Sequence, residues 1–315
     1  MKDSFNREIS YLRISLTDRC NLRCRYCMPE TGVCKLSHDD ILSFEDILEI
    51  VKAAAALGIT KIRLTGGEPL IRKGVVGLCE AIKKVPGIED LSLTTNGTLL
   101  MDYAEDLKKA GLDRVNISLD TLDAFRYSQI TRCGDFTQVM GGISAALNAG
   151  FKKIKINTVL LGGFNDDEIK AMVDLTKDYD IDLRFIELMP MLDTSMPEEA
   201  YIPNSIVLEK VPELESLGVE GVAQIYQKPG YKGRIGLISP ISCSFCSSCN
   251  RIRLTADGFL KPCLHSKDEI SLKGLHGEAL TKKLEEAILS KPKEHEKLNF
   301  ENISLSQRDM NKIGG

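Results

Sequence analysis

The feature that most constrains this chain is the grouping of its ten cysteines. The group near the N-terminus contains Cys20, Cys24, Cys27 and Cys34. The group near the other end contains Cys243, Cys246, Cys249 and Cys263. Two single thiols, Cys79 and Cys133, lie between the groups. The first ten residues lack the apolar segment of a secretory signal, so export to an oxidising compartment has no support. In a reducing cytoplasm, grouped thiolates bind metal more often than they form disulfides. We therefore expect a cytoplasmic protein with metal sites.

Length and composition describe an ordinary globular chain with a sizeable core. The 315 residues are 43% hydrophobic and 27% charged. No apolar run approaches the roughly 20 residues that cross a bilayer. The net charge of −4, from 41 basic and 45 acidic residues, argues against a nucleic-acid coat or an anionic-membrane binder. We expect neither nucleic acid nor membrane as a partner, although a local basic pocket remains compatible with this balance.

From residue 10 to 190 the sequence alternates short β-branched runs with amphipathic helical patterns. The predicted strands are Tyr11–Leu16, Lys61–Thr65, Leu91–Thr95, Arg114–Leu119, Lys153–Leu160 and Asp182–Leu188. A predicted helix over Phe44–Leu57 has Ser43 as N-cap, Asp46 three residues later and Gly58 just past its end. Units of roughly 30 residues predict parallel strands joined by right-handed helical crossovers.

Six such strands precede Pro190, whereas a closed parallel barrel needs eight. The sequence therefore predicts an α/β fold, a partial TIM-type βα barrel of about six strands over residues 1–190. Residues 191–315 are expected to form a C-terminal region that covers the open side. This region contains a β-like run at Arg234–Ile238, a hairpin around Asp257–Gly258 and a helix near Glu278–Leu289.

The first cysteine group places Cys20, Cys24 and Cys27 in the loop after the first strand. Because a [4Fe–4S] cluster normally takes four thiolates, a triplet leaves one iron open for another ligand. The alternative is a structural zinc site completed by Cys34 or His38, although structural zinc usually uses pairs of two-residue knuckles.

The CxxxCxxC motif, with Tyr26 before its last cysteine, resembles the signature of the radical S-adenosylmethionine enzymes. The resemblance implies that the open iron chelates S-adenosylmethionine and that one electron cleaves it into methionine and a 5′-deoxyadenosyl radical. The family also carries a Gly-Gly-Glu-Pro turn after its second strand, matched here by residues 66–69. In that position the backbone of the turn is expected to hold the methionyl amino group.

The second cysteine group has the spacing of another metal site. Cys246 and Cys249 form a two-residue knuckle, and a predicted hairpin returns Cys263 to it. By spacing alone, zinc and iron–sulfur are equally supported, because Cys243 could complete a four-cysteine zinc site.

A longer string in this region resembles the GTP 3′,8-cyclase family of molybdenum cofactor biosynthesis. The matching residues are Phe245, Cys246, Cys249, Asn250, Arg251, Arg253, Leu254, Thr255, Asp257, Gly258, Cys263 and Leu264. The resemblance implies a second [4Fe–4S] cluster on Cys246, Cys249 and Cys263, whose open iron meets guanine. It also implies conversion of GTP to (8S)-3′,8-cyclo-7,8-dihydroguanosine 5′-triphosphate. Whether Cys243 replaces Cys246 as a ligand stays open.

Lone cations occur in four of the predicted strands, at Arg13, Arg63, Lys155 and Arg184. Any one of them could lie at a solvated edge or beside a neutralising carboxylate. Four together favour side chains aimed into the barrel, because buried parallel strands are usually apolar throughout. Arg251 and Arg253 add two guanidiniums suited to forked hydrogen bonds with phosphate. The sequence therefore predicts a polyanion-binding interior.

The resemblance also implies individual site residues. GTP contacts are expected from Arg13, Arg63, Thr94, Lys155, Arg184, Arg251 and Arg253, and S-adenosylmethionine contacts from Tyr26, Gly67, Ser118 and Met189. The residues expected to act in catalysis are Arg13, Arg251, Arg253, Gly314 and Gly315. The last two would normally be dismissed as a frayed end, but the family ends in a diglycine thought to enter the active site.

The expected partners also follow from the resemblance. They are GTP, a second copy of the chain as a homodimer, and an enzyme that converts the product to cyclic pyranopterin monophosphate. The electron donor is not indicated. Two other functions remain: a zinc-stabilised nucleotide-binding regulator without turnover, and a radical enzyme that modifies a peptide and has less need of six clustered cations. Cys79 is expected to lie on a helix with its side chain in the protein core, and Cys34 and Cys133 are expected in loops.

Overall fold

A computed structural model of the chain describes residues 1–33, 35–191 and 196–313. The helices are α1 (Phe44–Ala56), α2 (Val75–Lys83), α3 (Leu100–Lys109), α4 (Ala124–Thr131), α5 (Phe136–Asn148), α6 (Ile169–Asp174), α7 (Ser205–Lys210) and α8 (Gly277–Leu289). None of the helices within these ranges is both long and apolar enough to cross a lipid bilayer.

The strands contribute to one large sheet. They are β1 (Tyr11–Ser15), β2 (Lys61–Thr65), β3 (Asp90–Thr95), β4 (Arg114–Ser118), β5 (Ile154–Leu160), β6 (Ile181–Glu187), β7 (Glu215–Glu220), β8 (Ala223–Gln227), β9 (Arg234–Ile238), β10 (Arg251–Leu254), β11 (Phe259–Lys261) and β12 (Ile270–Ser271). The first six match the predicted strands to within one residue at each end.

Helix α1 illustrates how local sequence sets an element. The Ser43 hydroxyl accepts a hydrogen bond from the Asp46 N–H at 3.0 Å, and the Asp46 carboxylate accepts from the Ser43 N–H at 3.2 Å. This reciprocal capping box satisfies two donors that the first helical turn leaves free. Gly58 follows the helix with φ of +88°, a conformation that glycine adopts without strain. The buried face of α1 contains Ile47, Ile50, Val51 and Ala54.

Strands β1 to β6 pair in sequence order, and every pairing is parallel. Helices α1 to α6 lie in the connections between them, so the predicted alternation of strand and helix is confirmed. The apolar residues of the strands are buried with the helices in one continuous core. The molecule is therefore an α/β protein built on a parallel sheet.

The C-terminal region extends this sheet at both edges. Strand β10 pairs in parallel with β1, and β9 pairs in parallel with β6. The hairpin of β7 and β8 continues beyond β9, and β11 and β12 continue beyond β10, all antiparallel. The sequence predicted β9 and the β10–β11 hairpin as elements. It did not predict the β7–β8 hairpin, nor that residues after 190 add parallel strands to the sheet.

Candidate active site

The two cysteine groups lie at opposite ends of the parallel strands. Cys20 follows the carboxyl end of β1, whereas Cys249 lies just before the amino end of its parallel neighbour β10. Because β11 runs antiparallel to β10, it returns Cys263 to the same end as Cys249. Strand residues such as Arg13, Arg63 and Arg253 therefore lie between the two groups.

Backbone contacts hold the first cysteine loop in a tight turn. The Cys24 carbonyl accepts from the N–H of Cys27 at 3.0 Å. The Leu22 N–H donates to the Cys20 sulfur at 3.3 Å, and the Asn96 side-chain amide approaches the same sulfur at 3.8 Å. All three thiols are half-buried. The loop therefore presents three sulfur donors from one short segment.

The pKa values of these three thiols are raised. Burial is the largest cause for each of them, and neighbouring thiols add to it for Cys24 and Cys27. The pKa of Cys20 rises to about 11 and that of Cys27 to about 12. Thiolates in this loop are therefore stable only beside compensating positive charge. Three thiolates that require nearby positive charge fit an iron–sulfur cluster in which one iron has no protein ligand.

The Gly-Gly-Glu-Pro turn packs against the segment that leads to Cys20. The Gly67 N–H donates to the Thr17 carbonyl at 2.7 Å, and the Glu68 N–H donates to the Arg19 carbonyl at 2.8 Å. A Cβ atom on Gly67 would lie 2.2 Å from the Arg19 carbonyl oxygen. Gly66 has φ of +145°, and a Cβ atom there would lie 2.6 Å from the Thr17 carbonyl oxygen. Both glycines are required by this close approach of two backbones.

The Glu68 side chain ties the turn to the end of β3. Its buried carboxylate accepts from the Leu70 N–H at 3.0 Å, the Thr95 hydroxyl at 2.8 Å and the Asn96 N–H at 2.7 Å. Burial nevertheless raises the pKa of Glu68 to about 7. Asn96 also donates to the Asn21 side chain at 2.8 Å, so a single network connects β2, β3 and the first cysteine loop.

The residues expected to contact S-adenosylmethionine follow or end strands on this same edge. Tyr26 lies in the cysteine loop, Gly67 follows β2, Ser118 ends β4 and Met189 follows β6. The Tyr26 hydroxyl donates to the Asp120 carboxylate at 2.7 Å. Burial raises the pKa of Asp120 to about 6. Sequence analysis missed Asp120, whose position two residues past β4 was the available signal.

The second cysteine group has hydrogen-bond donors of its own. Burial alone would raise the pKa of Cys246, but hydrogen bonds from His295 and Ser244 outweigh it and lower the value to about 7. Burial likewise opposes the lowering of the Cys249 pKa, which Lys291 and the Arg251 N–H bring about. The environment of this group therefore stabilises thiolates, unlike that of the first group.

Lys291 is buried beside the second group, with only 2% of its surface exposed. Its ammonium donates to the carbonyls of Arg251 at 2.9 Å and Pro262 at 2.8 Å. It thus connects the segments that carry Cys249 and Cys263.

Cys243 is exposed, whereas Cys246, Cys249 and Cys263 are each half-buried. Within residues 1–33, 35–191 and 196–313, no three Cys, His, Asp or Glu side chains converge closely enough to hold a single metal ion.

An arginine layer lies between the two groups, formed by Arg13, Arg63, Arg251 and Arg253. Arg13 is in register with Arg63 on one side and Arg253 on the other. Burial lowers the pKa of Arg13 well below its usual range, and Arg253 and Arg63 lower it further. Burial also lowers the pKa of Arg63 and of Arg253 to about 10. Repulsion between neighbouring guanidiniums contributes to each of these three pKa shifts.

Three arginines of this layer have no carboxylate partner in the part of the chain that the structure describes. Among the described residues, no carboxylate forms an ion pair with Arg13, Arg63 or Arg251. The Arg13 Nε, the Arg251 Nε and the Thr94 hydroxyl are buried without a hydrogen-bond partner in the part of the chain described. Buried donors without acceptors are costly, so the layer is built to meet an anion.

The other two predicted cations have carboxylate partners. The Lys155 ammonium lies 3.2 Å from Asp182 and 3.1 Å from Glu220. The Arg184 guanidinium lies 3.7 Å from Asp182 and 3.3 Å from Glu220. For these two, the structure shows the neutralising carboxylates that the alternative expected, and contact with GTP stays a prediction. Arg234, which sequence analysis missed, joins the same cluster through Asp182 at 2.9 Å.

The C-terminal segment runs into the space between the first cysteine loop and the arginine layer. The Asn311 side chain donates to the Asp18 carbonyl at 2.8 Å, and the Ile313 carbonyl accepts from Arg253 at 3.2 Å. Gly314 and Gly315, expected to act in catalysis, lie outside the described residues, as does Cys34. Cys79 is buried in α2, as predicted, and Cys133 is exposed.

Comparison with family profiles divides the chain into two matched segments. Residues 14–176 match the Radical SAM superfamily, and residues 181–297 match Molybdenum Cofactor Synthesis C. The chain is 52% identical to the GTP 3′,8-cyclase of Peptoclostridium acidaminophilum, over 99% of this chain and 98% of that protein. It is 49% identical to the GTP 3′,8-cyclase of Alkaliphilus oremlandii, over 100% of both chains.

Solved structures agree at the level of the fold. SuiB of Streptococcus suis, bound to precursor peptide SuiA, superposes with a TM-score of 0.61 at 15% identity, covering 90% of this chain and 65% of that chain. The enzyme anSMEcpe, with bound AdoMet, superposes with a TM-score of 0.59 at 16% identity, covering 91% of this chain and 82% of that chain.

Proposed function

The chain belongs to the GTP 3′,8-cyclase family within the radical S-adenosylmethionine superfamily, and we propose that it is itself a GTP 3′,8-cyclase. The reaction converts GTP to (8S)-3′,8-cyclo-7,8-dihydroguanosine 5′-triphosphate in molybdenum cofactor biosynthesis. S-adenosylmethionine would supply a 5′-deoxyadenosyl radical that takes the C3′ hydrogen of GTP. C3′ would then bond to C8 of guanine, and one electron from the reductant and one proton from solvent would complete the 7,8-dihydro product. The arginine layer between the two cysteine groups carries this proposal.

Cys20, Cys24 and Cys27 hold the first [4Fe–4S] cluster. When bound there, the cluster supplies the electron that cleaves S-adenosylmethionine into methionine and the radical. The N–H groups of Gly67 and Glu68 are already donated to Thr17 and Arg19, so the carbonyls of the turn are the groups that accept from the methionyl amine. Tyr26, Ser118 and Met189 complete this binding surface.

The triphosphate of GTP supplies a counter-charge for Arg13, Arg63 and Arg251, which form no ion pair with a carboxylate of the described residues. Arg13, Arg63, Arg251 and Arg253 neutralise it, and the unpartnered Thr94 hydroxyl donates to the nucleotide. Lys155 and Arg184 extend the same surface across β5 and β6. Guanidinium forks bind phosphate oxygens bidentately. These cations hold C3′ and C8 of the nucleotide in position for bond formation. Such positioning lowers the activation free energy of oriented reactions by several kcal/mol.

A second [4Fe–4S] cluster on Cys246, Cys249 and Cys263 fits the donors around that group. His295 and Lys291 direct hydrogen bonds or positive charge toward its sulfurs, which is how proteins tune such clusters. An iron without a protein thiolate would face the guanine base. The exposure of Cys243 favours Cys246 as the ligand.

We further infer that the parallel strands curve into a partial barrel. In a flat sheet, Arg184 of β6 and Arg251 of β10 would be about 29 Å apart, six strand spacings of roughly 4.8 Å. Burial lowers the pKa of Arg184, yet Arg251 and Arg114 contribute to the lowering as well. The influence of Arg251 on Arg184 supports a shorter separation, because solvent screens charges beyond about 10 Å.

Three further assignments belong to the proposal. Residues 1–190 form the radical enzyme barrel, and residues 191–315 form the region of the second cluster. Gly314 and Gly315, which lie outside the described residues, are assigned a role in catalysis; the preceding residue, Ile313, accepts a hydrogen bond from Arg253. The protein works as a homodimer and passes its product to the enzyme that forms cyclic pyranopterin monophosphate.

Product analysis tests the activity. Anaerobically purified protein is reduced and incubated with S-adenosylmethionine and GTP, and 5′-deoxyadenosine and the cyclised nucleotide are quantified by chromatography. We expect both products in equal amounts. A nucleotide-binding regulator releases no 5′-deoxyadenosine, and a peptide-modifying enzyme forms no cyclised GTP, so either outcome overturns the proposal.

A further inference from the structure

A carboxylate from the C-terminal region contacts the cations of β5, β6 and β9. Glu220 ends β7, at the turn into β8. Its carboxylate lies 3.1 Å from Lys155, 3.3 Å from Arg184 and 3.1 Å from Arg234. Burial would raise the pKa of Glu220, but Lys155 and the two arginines outweigh it and lower the value to about 2. Glu220 is therefore an anion at neutral pH.

The two carboxylates of this cluster differ in how firmly they are held. Asp182 lies within the sheet on β6, is 8% exposed, and accepts two hydrogen bonds of 2.9 Å from Arg234, its partner in register on β9. Glu220 has a side chain that is 47% exposed. Asp182 is therefore a fixed counter-ion, whereas Glu220 makes its contacts from the solvent side.

The segment that carries Glu220 is able to move without breaking the core. All six residues of β7 are exposed, and β7 pairs only with β8 among the described strands. Gly218 and Gly221 on either side have φ of +93° and +67°, so the backbone flanking Glu220 depends on glycine. Displacing its side chain breaks three ion pairs, but Asp182 stays within 3.7 Å of all three cations.

Arg184 is placed to exchange one anion for another. The stem of Arg184 passes over Gly236, where a Cβ atom would lie 3.2 Å from its Cγ. The missing side chain at Gly236 lets the guanidinium reach Glu220. Lys155 is 3% exposed while Glu220 contacts it, so another anion reaches it only when Glu220 moves away. A ligand with several negative charges attracts Lys155 and Arg184 more strongly than a single carboxylate does.

We propose that Glu220 occupies the position of a substrate phosphate in the nucleotide-free protein and must be displaced by the triphosphate. This inference rests on the proposed binding of GTP to Lys155 and Arg184. Glu220 thereby keeps two buried cations paired between turnovers and lowers the apparent affinity for nucleotide. GTP binds only to those molecules in which the Glu220 carboxylate has moved away from Lys155 and Arg184. Removing the charge of Glu220 raises the fraction of such molecules.

The test is nucleotide binding by the full chain, purified anaerobically with its clusters. Isothermal titration calorimetry compares the wild type with Glu220→Gln and with Glu220→Asp, which retracts the carboxylate by one methylene. We expect Kd for GTP to fall roughly three- to tenfold in Glu220→Gln and less in Glu220→Asp. The matched control is Glu215→Gln, which makes the same charge change at the exposed start of the same strand.

Guanosine separates phosphate competition from a structural effect. The Kd for guanosine should be the same in the wild type and in Glu220→Gln, because guanosine carries no phosphate. An unchanged or raised Kd for GTP in Glu220→Gln, or an equal decrease in Glu215→Gln, overturns the inference. If the wild type itself fails to bind GTP, the proposed function fails as well, so the two failures are distinguishable.

Discussion

Arg13 shows, at the scale of a single residue, why the arginine layer is a functional rather than a stabilising feature. It is 8% exposed, lies in register between Arg63 and Arg253, and has a buried Nε without an acceptor among the described residues. Buried charges that lack partners oppose folding, and apolar replacements of similar volume are often neutral or stabilising. The nucleotide-free protein therefore carries electrostatic strain, which the proposed binding of the triphosphate relieves.

We predict that Arg13→Met stabilises the nucleotide-free protein and weakens GTP binding. The gain should be about 1–3 kcal/mol in the free energy of unfolding, because a methionine removes repulsion from two neighbouring guanidiniums. The Kd for GTP should rise by about tenfold or more, since a buried phosphate partner is lost. Chemical denaturation without nucleotide and calorimetric titration with GTP measure the two effects.

Arg114→Met is the matched control for stability. Arg114 is also a strand arginine, but it forms an ion pair with Asp90, and removing it leaves that carboxylate without its cation. Arg114→Met should therefore destabilise the protein. A lower unfolding free energy for Arg13→Met as well would show that the arginine layer is not under electrostatic strain.

At the scale of elements, the sequence predicted what local patterns determine. Strand β2 was predicted with its observed ends, and α1 with its N-cap, because period, caps and glycines act within a few residues. The pairing of β10 with β1 joins residues about 240 positions apart, and no short-range pattern records such a partner. The β7–β8 hairpin was missed because β7 contains only two apolar residues, Leu217 and Val219, with a glycine between them, and glycine is depleted in strands.

One side chain makes four of the hydrogen bonds that attach the C-terminal segment. Arg308 donates two hydrogen bonds of 2.9 Å to Asp257, in the β10–β11 turn, and two of 2.7 Å to Glu269, just before β12. Beyond it, Asp309 and Asn311 are buried against the first cysteine loop. Bidentate arginine pairs combine strength with fixed orientation. Arg308 therefore sets where the end of the described chain enters the site.

We predict that Arg308→Gln loosens this segment and lowers turnover. Amide hydrogen exchange in residues 304–313 should accelerate by at least about tenfold, because charge-assisted bonds worth roughly 1.5–3 kcal/mol each are lost. Cyclised GTP should form more slowly while iron content stays unchanged. Mass spectrometry after deuterium labelling measures the first effect, and product analysis the second.

Lys283→Gln provides the control for this experiment. It breaks an exposed ion pair with Glu286 on α8 and should leave exchange in residues 304–313 as it is in the wild type. Unchanged protection of that segment in Arg308→Gln would show that contacts other than the Arg308 pairs hold it in place.

At the scale of the whole molecule, one sheet arranges three chemical environments in series. The first cysteine loop follows β1, the arginine layer lies within the strands, and the second cysteine group precedes β10. Sequence spacing predicted both groups of thiols because the ligands within each are near neighbours or are returned by a hairpin. It missed Asp120, Lys291 and His295, since each reaches its group through tertiary folding rather than through a motif.

The two cysteine groups should bind clusters independently, because they lie at opposite ends of the strands. We predict about eight irons and eight sulfides per chain in anaerobically purified protein, two clusters of four. Replacing Cys246, Cys249 and Cys263 together by alanine should remove about half of the iron, as should replacing Cys20, Cys24 and Cys27. Colorimetric iron and sulfide analysis, with metal content by mass spectrometry, measures these amounts.

Cys243→Ser decides which thiol of the second group is a ligand. Cys243 is exposed, whereas hydrogen bonds from His295 and Ser244 lower the pKa of Cys246 to about 7 despite its burial. A site that already favours the thiolate at Cys246 has no need of Cys243, so Cys243→Ser should keep all eight irons and Cys246→Ser should lose about four. Loss of half the iron from Cys243→Ser would reverse this assignment. About four irons and one zinc in the wild type would mean that the second group is a zinc site, with the arginine layer facing a single cluster.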